Sequence, residues 1–315
     1  MNGKNAGSSS GVVSAIFGLL AETPVHPGAG KATGVIDLPI QREVHTAWPC
    51  IYASGVKGGL RQLAEESEMH PDDLRRVFGS EGNQVEMAGA LAVGDASLLL
   101  LPVRSLTSSF QWVTCPEVLQ RFKSACRRLG VATGAALTVP GNPALDDAIG
   151  TSSRKPESRL FLEEFRFTLS AAALHEDVVD AIKLCVHEDF HTTLAERLLV
   201  VHNDRFRWFA EHATQIAAHV KLDNETKAIE RGALWYEETL PPETVMYVPL
   251  LASDSRELKS KLPASDVLTK VLQLFAVDCG SPYARFGGNE SLAMGWCHVT
   301  VALADSVSRS GQKAR

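Results

Sequence analysis

The 315-residue chain has no apolar run long enough to cross a membrane as a helix, no pairing pattern among its cysteines and no excess of positive charge. The longest apolar stretch, Val12–Ala21, is broken by Ser14 and Gly18 and falls well short of the roughly 20 residues a spanning helix needs. Cys50, Cys115, Cys126, Cys185, Cys279 and Cys297 include no C-x-x-C pair. In a chain this long they argue for reduced thiols in a cytoplasmic setting, against a disulfide framework and against a cysteine-based zinc ribbon. The net charge of −6 excludes a global field that would draw in a polyanion. There is no G-x-x-x-x-G-K-[ST] phosphate loop and no internal repeat. What is present is apolar material, 45% of residues against 22% charged, enough for a sizeable core and too much for wholesale disorder.

The N-terminal residues after Lys4, with Ala21-Glu22-Thr23-Pro24 beyond the apolar run, loosely mimic a secretory signal. Val12, Val13, Ile16 and Phe17 are strand formers, however, and the run reads as a buried strand behind a loose Gly/Ser tail at 1–11. Residues 22–50 carry four prolines and three glycines and are expected to be an irregular, functional loop. A helix is expected over 54–66 with Ser54 as N-cap, a strand over Ala96–Val103, and a helix over Pro116–Leu129 stopped by Gly130. Residues 131–160 read as a surface loop or insertion, 176–200 and 203–218 as helical, and Pro263–Phe275 as a late helix. Between them, 221–238 reads as a projecting β-hairpin with turn-like Asp223-Asn224 and Arg231-Gly232. The mixture is α+β, without the strict alternation of a doubly wound sheet.

Four segments carry chemistry. The loop holds Asp37, His26 and His45 between stiffening prolines, although an aspartate ahead of Pro39 also suits an Asx-turn. In Ser54-Gly55-Val56-Lys57-Gly58-Gly59-Leu60-Arg61, small residues expose amides at a helix start, and Lys57 and Arg61 stand one turn apart. Both cations suit a phosphate run, or they are solvated charges on a packed helix. Charge is distributed unevenly. Residues 101–130 hold Arg104, Arg121, Lys123, Arg127 and Arg128 against Glu117, whereas 221–243 hold three bases against six acids. A locally basic face can bind a polyanion, and the acidic, aromatic hairpin would meet bases rather than phosphates. The Gly287-Gly288 loop would let backbone amides approach a ligand, although hairpin turns use the same residues. Finally, His187-Glu188-Asp189-Phe190-His191 matches the zinc-protease pattern H-E-x-x-H, with Leu194 and Arg197 where the extended motif wants Gly and His. Its bland alternative is a solvated helix end.

Taken in order, HPGAGKATGVIDLPIQREVHT, ASGVKGGLRQL, VFGSEG, AGALAVGDASLLLLPVRSL and FQWVTCP, then GALWYEETLPPET and FGGNESLAMGW, resemble one family. It is that of the RAMP-superfamily backbone subunits of the type III-B (Cmr-module) CRISPR RNA-guided effector complex. The likeness runs from about residue 12 to about 302 and is weakest over 140–200. It implies an RNA-recognition-motif-like (ferredoxin-like) palm with a β-hairpin thumb and helical insertions. One palm domain would span 12–315, with a catalytic loop at 22–50, a variable insertion at 131–200 and the thumb at 216–245. It implies copies stacked in a filament on guide RNA beside other effector subunits, with complementary target RNA cleaved at regular intervals and no membrane. The cut would depend on a divalent metal, Mg or Mn. By likeness the catalytic aspartate falls on Asp37, also the candidate metal ligand, with His26 a second candidate and Glu237 or Glu238 supplying a carboxylate from a neighbouring copy. Ser54, Lys57 and Arg61 match the guide-contacting helix, and Arg42, Gly287 and Gly288 stand as phosphate neighbours. Ala293 replaces a glycine of the family pattern, which argues against Gly295 as an RNA contact. Three functions therefore compete: a target-cleaving subunit, a non-cleaving guide-RNA scaffold and a zinc metalloprotease.

Overall fold

A computed structural model of the chain describes residues 11–32, 34–80, 87–223, 225, 229–257, 260–275 and 281–305. Nearly all of the expected tail lies outside these, as do Cys279 and the Asn224 half of the expected turn.

The chain opens with β1 (Val13–Ala21), then β2 (Cys50–Ile51), α1 (Ala53–Glu66), α2 (Pro71–Phe78), β3 (Leu91–Val93), β4 (Ala96–Arg104), β5 (Phe110–Thr114) and α3 (Pro116–Leu129). The middle holds α4 (Ala132–Ala136), β6 (Asp147–Gly150), β7 (Arg159–Leu162), β8 (Phe165–Leu169), α5 (Glu176–Lys183), α6 (His191–Arg197), β9 (Leu198–Val201) and α7 (Asn203–His212). Then follow β10 (Gln215–Leu222), β11 (Ile229–Thr239), β12 (Val245–Ala252), α8 (Ala264–Gln273), β13 (Tyr283–Arg285) and β14 (Trp296–Leu303). One large, mostly antiparallel sheet runs β13-β14-β1-β12-β4-β5-β9-β6-β8-β7, with β2 on β4 and β3 on β12. Only β5–β9 and β6–β8 pair in parallel among the described residues.

The unbroken apolar run of β1 follows from its central place, because both of its faces are covered. Ile16 and Leu20 join a core with Trp112, Phe122 and Phe206 beneath α3, α5 and α7. Ala15, Phe17 and Leu19 join a second core with Val56, Leu60 and Val267 beneath α1 and α8. Gly18 marks a close approach: a Cβ there would overlap the Cys185 backbone and the Thr300 hydroxyl. Helix α3 starts on Pro116 and ends on Gly130 at φ 72°, as its sequence signals require.

Several elements differ from the sequence expectation. Helix α1 starts at Ala53 behind Tyr52, so Ser54 sits inside its first turn and caps nothing. Residues 131–160 are not a plain loop; they hold α4 and β6 and enter β7, which extends the sheet. The helical reading of 176–200 breaks after α5 and again at β9, where Leu198-Leu199-Val200-Val201 is apolar and buried throughout and ends in two β-branched valines. Residues 215–218 leave the helix to start the hairpin, which pairs Gln215 with Thr239. Arg231 and Gly232 therefore lie within β11, not in a turn. Among the described residues no helix is long and apolar enough to cross a membrane.

Gly18→Ala is expected to cost about 1–3 kcal/mol of stability from overpacking, read as a lower midpoint in urea denaturation.

Candidate active site at the base of the hairpin

The proline- and glycine-rich loop between β1 and β2 has no ladder of its own, so its backbone polar groups must find partners elsewhere. Isolated bridges supply them: Val25 with Leu240, Gly28 with Ile40, Leu38 with Glu237 and Arg42 with Pro49. The loop doubles back on itself and is stitched to the C-terminal end of β11. Asp37 N and Leu38 N both donate to Tyr236 O at 3.1 Å, and Glu238 N donates to Leu38 O at 3.0 Å.

Asp37 is half-buried at this seam. Its Oδ2 accepts from Tyr236 N at 2.8 Å, a contact across to the hairpin rather than the local Asx-turn. Its other oxygen has no hydrogen-bond partner among the described residues. The carboxylate borders a cleft of about 410 Å³ lined by Lys31, Ala32, Leu38, Leu234 and Trp235. Trp235 is stacked on His219 across the hairpin, with ring centroids 5.5 Å apart.

Successive residues of a strand point to opposite faces, and here both faces of the hairpin base are covered. Glu238, 2% exposed, receives Arg42 Nη2 at 2.5 Å, Thr214 Oγ1 at 2.7 Å and Ile40 N at 3.1 Å. The Arg42 guanidinium also donates to Ala47 O and Ala210 O, each at 2.7 Å. Glu237, 5% exposed, faces the other way and accepts from Asn289 Nδ2. Neither glutamate reaches out towards a neighbouring copy. Both are consumed inside this chain, contrary to the expectation for them. Charged hydrogen bonds of this kind are stronger than neutral ones, and all of Glu238's are sheltered from water.

His26 is 8% exposed, wedged beneath the same strand. Its Nδ1 lies 2.7 Å from Glu238 O, which makes it the protonated nitrogen, and 4.0 Å from Glu237 Oε1. Gly288 N donates to His26 O at 2.8 Å. Gly287, at φ 93°, abuts the His26 backbone; a Cβ would sit 2.6 Å from its carbonyl oxygen. Gly295 is buried, and its N donates to Pro24 O at 2.9 Å.

The fold thus gathers Asp37, His26, Arg42, Gly287 and Gly288 around residues 236–238. Ser54, Lys57 and Arg61 occupy α1, joined to the glycine loop where Gly59 packs on Arg285 O and Phe286. Arg61 is partly spent on Glu65 Oε1 and Gly79 O, both at 3.0 Å. Lys57 makes no ion pair among the described residues. Burial, then the Arg61 charge, pulls its pKa below the ordinary lysine value. A phosphate there would relieve both effects. Ala53 N is already taken by Asp95 Oδ1 at 2.7 Å, so the first amide of α1 is closed to an anion, while Ser54 and Gly58 face solvent.

The H-E-x-x-H motif lacks its frame. His187 caps a 3₁₀ turn over Glu188–Phe190, its Nδ1 accepting from Asp189 N at 3.3 Å, and His191 only then begins α6. The two histidines do not share one uninterrupted helix. Among the described residues no group of three His, Cys, Asp or Glu side chains is placed to hold a metal.

This architecture and loop define a class. Residues 19–298 match the RAMP superfamily, and the chain belongs to it. The CRISPR system Cmr endoribonuclease Cmr4 of Pyrococcus furiosus is 33% identical over 290 residues, covering 91% of this chain and 95% of that protein. The CMR subunit Cmr4 of Saccharolobus solfataricus is 23% identical over 76% of this chain and 85% of its own length. In structure, oligomeric Cmr4 from P. furiosus superposes with a TM-score of 0.71 at 28% identity, over 92% of this chain and 98% of that one.

Arg42→Ala, which strands a buried carboxylate, is expected to lose about 3–5 kcal/mol in urea denaturation. Replacing both partners, with Arg42→Met and Glu238→Leu, should recover most of that loss, since the cost lies in the orphaned charge.

Proposed function

We propose that this chain is a backbone subunit of a type III-B CRISPR effector complex, which binds guide RNA beside further copies of itself and other subunits and cleaves complementary target RNA. The P. furiosus relative, named as a Cmr endoribonuclease, carries the cleavage assignment. The structure of that organism's Cmr4 as an oligomer supports self-assembly. Base pairing then supplies sequence recognition, while the protein grips backbone and shape. We assign the large sheet with α1 to the palm and β10–β11 to the thumb, cuts to regular intervals set by stacked copies, and the complex to the cytoplasm.

The observation that carries the catalytic assignment is Asp37 itself, with one carboxylate oxygen fixed by Tyr236 N and the other without a partner among the described residues, beside an open cleft. A carboxylate so anchored can accept a hydrogen bond from a ribose 2′-hydroxyl and align it on the adjacent phosphorus. The new bond forms from the 2′-oxygen as the bond to the 5′-oxygen breaks. In-line geometry is denied to a regular duplex, so the nucleotide at the cut must be released from its stack. Trp235 and exposed Leu234, on the cleft wall, are suited to hold it.

A divalent ion, Mg or Mn, fits here only as a shared ligand set. Asp37 would be its protein oxygen, and RNA phosphate and water would complete the shell, which suits the way Mg binds through one carboxylate and substrate phosphates. Bound there, it would supply charge neutralisation at the scissile phosphate. His26, hidden under β11, serves this reading as a positioning group: it holds the Gly287-Gly288 loop against the hairpin base. Lys57 and the exposed start of α1 meet guide phosphates. Arg42 is a strut.

Asp37→Asn keeps the acceptor for Tyr236 N and removes the charge. In the reconstituted complex it should lower target cleavage by on the order of 100-fold or more while target binding holds. Unchanged cleavage would leave a non-cutting scaffold as the function. Lys57→Ala should weaken guide binding for every sequence alike and reduce the salt slope by about 0.7 to 1, measured by filter binding across a salt series.

A further inference from the structure

The insertion over 131–200, which no family motif covers, completes a nearly closed structure with β4 and β5. Strands β4-β5-β9-β6-β8-β7 curl until Ser105, just past β4, bridges Leu162 at the end of β7. Glu163 N donates to Arg104 O at 3.0 Å across this closure. The result is a small, nearly closed barrel packed with Trp112, Leu160, Leu162 and Phe167. Its mouth, where β5, β7 and β9 begin and β8 ends, is a polar cleft of about 440 Å³. Barrel mouths are recurrent ligand sites.

Four cations line this mouth, Arg154, Lys155, Arg159 and Arg197, against the single acid Glu196. None of the four makes an ion pair among the described residues. Arg154 is half-buried and held by neutral acceptors only, Gln111 Oε1 and Glu196 O, the latter at 2.8 Å. Burial lowers its pKa with no carboxylate beside it to compensate. The Arg197 guanidinium lies 4.5 Å from the Phe110 ring centroid, and its charge is felt by the Glu243 carboxyl without an ion pair between them. Thr107, Ser108 and Ser158 add hydroxyls. Unpaired arginines clustered around hydroxyl groups, in a chain of net charge −6, are built to receive an anion.

The neighbouring surface says which one. In β7 the outward residues are Arg159 and Phe161, and Phe161, 36% exposed, pairs across the strands with exposed Arg166. A ring between two arginines, continuous with a cationic cleft, offers stacking for a base and charge for a backbone. An acidic peptide would use the charges and leave the ring idle. We infer that the mouth of the insertion barrel, Arg154, Lys155, Arg159 and Arg197 with Phe161 beside it, is a second RNA site that binds the phosphodiester backbone of an unpaired strand. The ligand class rests on the RNA-binding function proposed above; the site itself does not share residues with the hairpin base.

The test uses the assembled complex with guide and a target whose unpaired flank carries 4-thiouridine. Ultraviolet crosslinks mapped by mass spectrometry are expected in the peptide containing residues 154–161. Lys155→Gln with Arg159→Gln, both exposed positions, should reduce those crosslinks at least fivefold and lower the salt slope for flanked target by about 1.4, at 0.7 per phosphate on a single strand. Target cleavage should persist. Arg104→Gln, whose side chain is already paired with Glu163 at 2.7 Å, should change neither. Absence of the crosslinks while cleavage proceeds normally overturns this site alone, and loss of cleavage in Asp37→Asn with crosslinks intact leaves it standing. Displacement by ATP at equal phosphate concentration, or by polyglutamate, would reassign the cleft to a free nucleotide or an acidic segment and overturn the RNA assignment.

Discussion

Everything at the candidate site depends on the Arg42–Glu238 pair. Glu238 belongs to the hairpin and Arg42 to the irregular loop, and the same guanidinium ties both to the end of α7 through Ala210 O. A buried ion pair adds little net stability over an apolar pair of the same volume, so its value lies in specification. Only one alignment of loop on strand satisfies Arg42, Thr214 and Ile40 N together around one carboxylate. That alignment brings Leu38 opposite Glu237 and puts Asp37 against Tyr236 N. The catalytic carboxylate of the proposed function is thus positioned by a charge pair that does not line the cleft Asp37 borders.

The hairpin divides accordingly. A two-stranded ribbon is marginal in water by itself. Residues 237–240 are buried between the loop on one face and the glycine-rich turn on the other, with His26 between them. Farther out, Ile216, Val220, Leu222, Leu234 and Tyr236 are all exposed. A locked base carrying an exposed apolar blade holds the outer part of the hairpin in one register while leaving its side chains open to a partner.

Much of the scaffold was legible because single residues carry strong local constraints. Pro116 and Gly130 bracket α3, the doubly covered β1 shows an unbroken apolar run, and the density of proline and glycine over 22–50 excludes regular structure. The candidate site was legible through a family motif rather than through physics, since Asp37 before Pro39 reads equally well as a turn. The failures have definite causes. Ser54 has an N-cap's side chain, but Tyr52 takes that place and Asp95, 42 residues away in sequence, closes the first amide. Leu198–Val201 follows a helical pattern directly, and only its pairing with β5 and β6 makes it a strand. Glu237 and Glu238 look like solvated charges on a hairpin, because their partners lie in segments that sequence reading has no means of bringing near.

The same reasoning changes how the charge of an RNA-binding chain should be counted. Arg42, Lys57 and Arg61 carry the same formal charge, yet Arg42 is consumed by the fold, Arg61 is shared with Glu65 and the Gly79 carbonyl, and Lys57 alone of the three has no ion partner among the described residues. A cation already neutralised by a buried carboxylate has little left to offer a phosphate, and removing it damages the protein before it touches the RNA. An acidic chain can therefore grip a polyanion, provided its surplus acids lie elsewhere and its unmatched cations are few and placed. By that measure the informative quantity is the number of arginines and lysines the fold leaves unsatisfied: Lys57 on α1 and the cations of the barrel mouth count, while in the basic stretch 101–130 Arg104 and Arg121 are already held by Glu163 and Glu43, and Arg127 and Arg128 are exposed with no ion pair among the described residues.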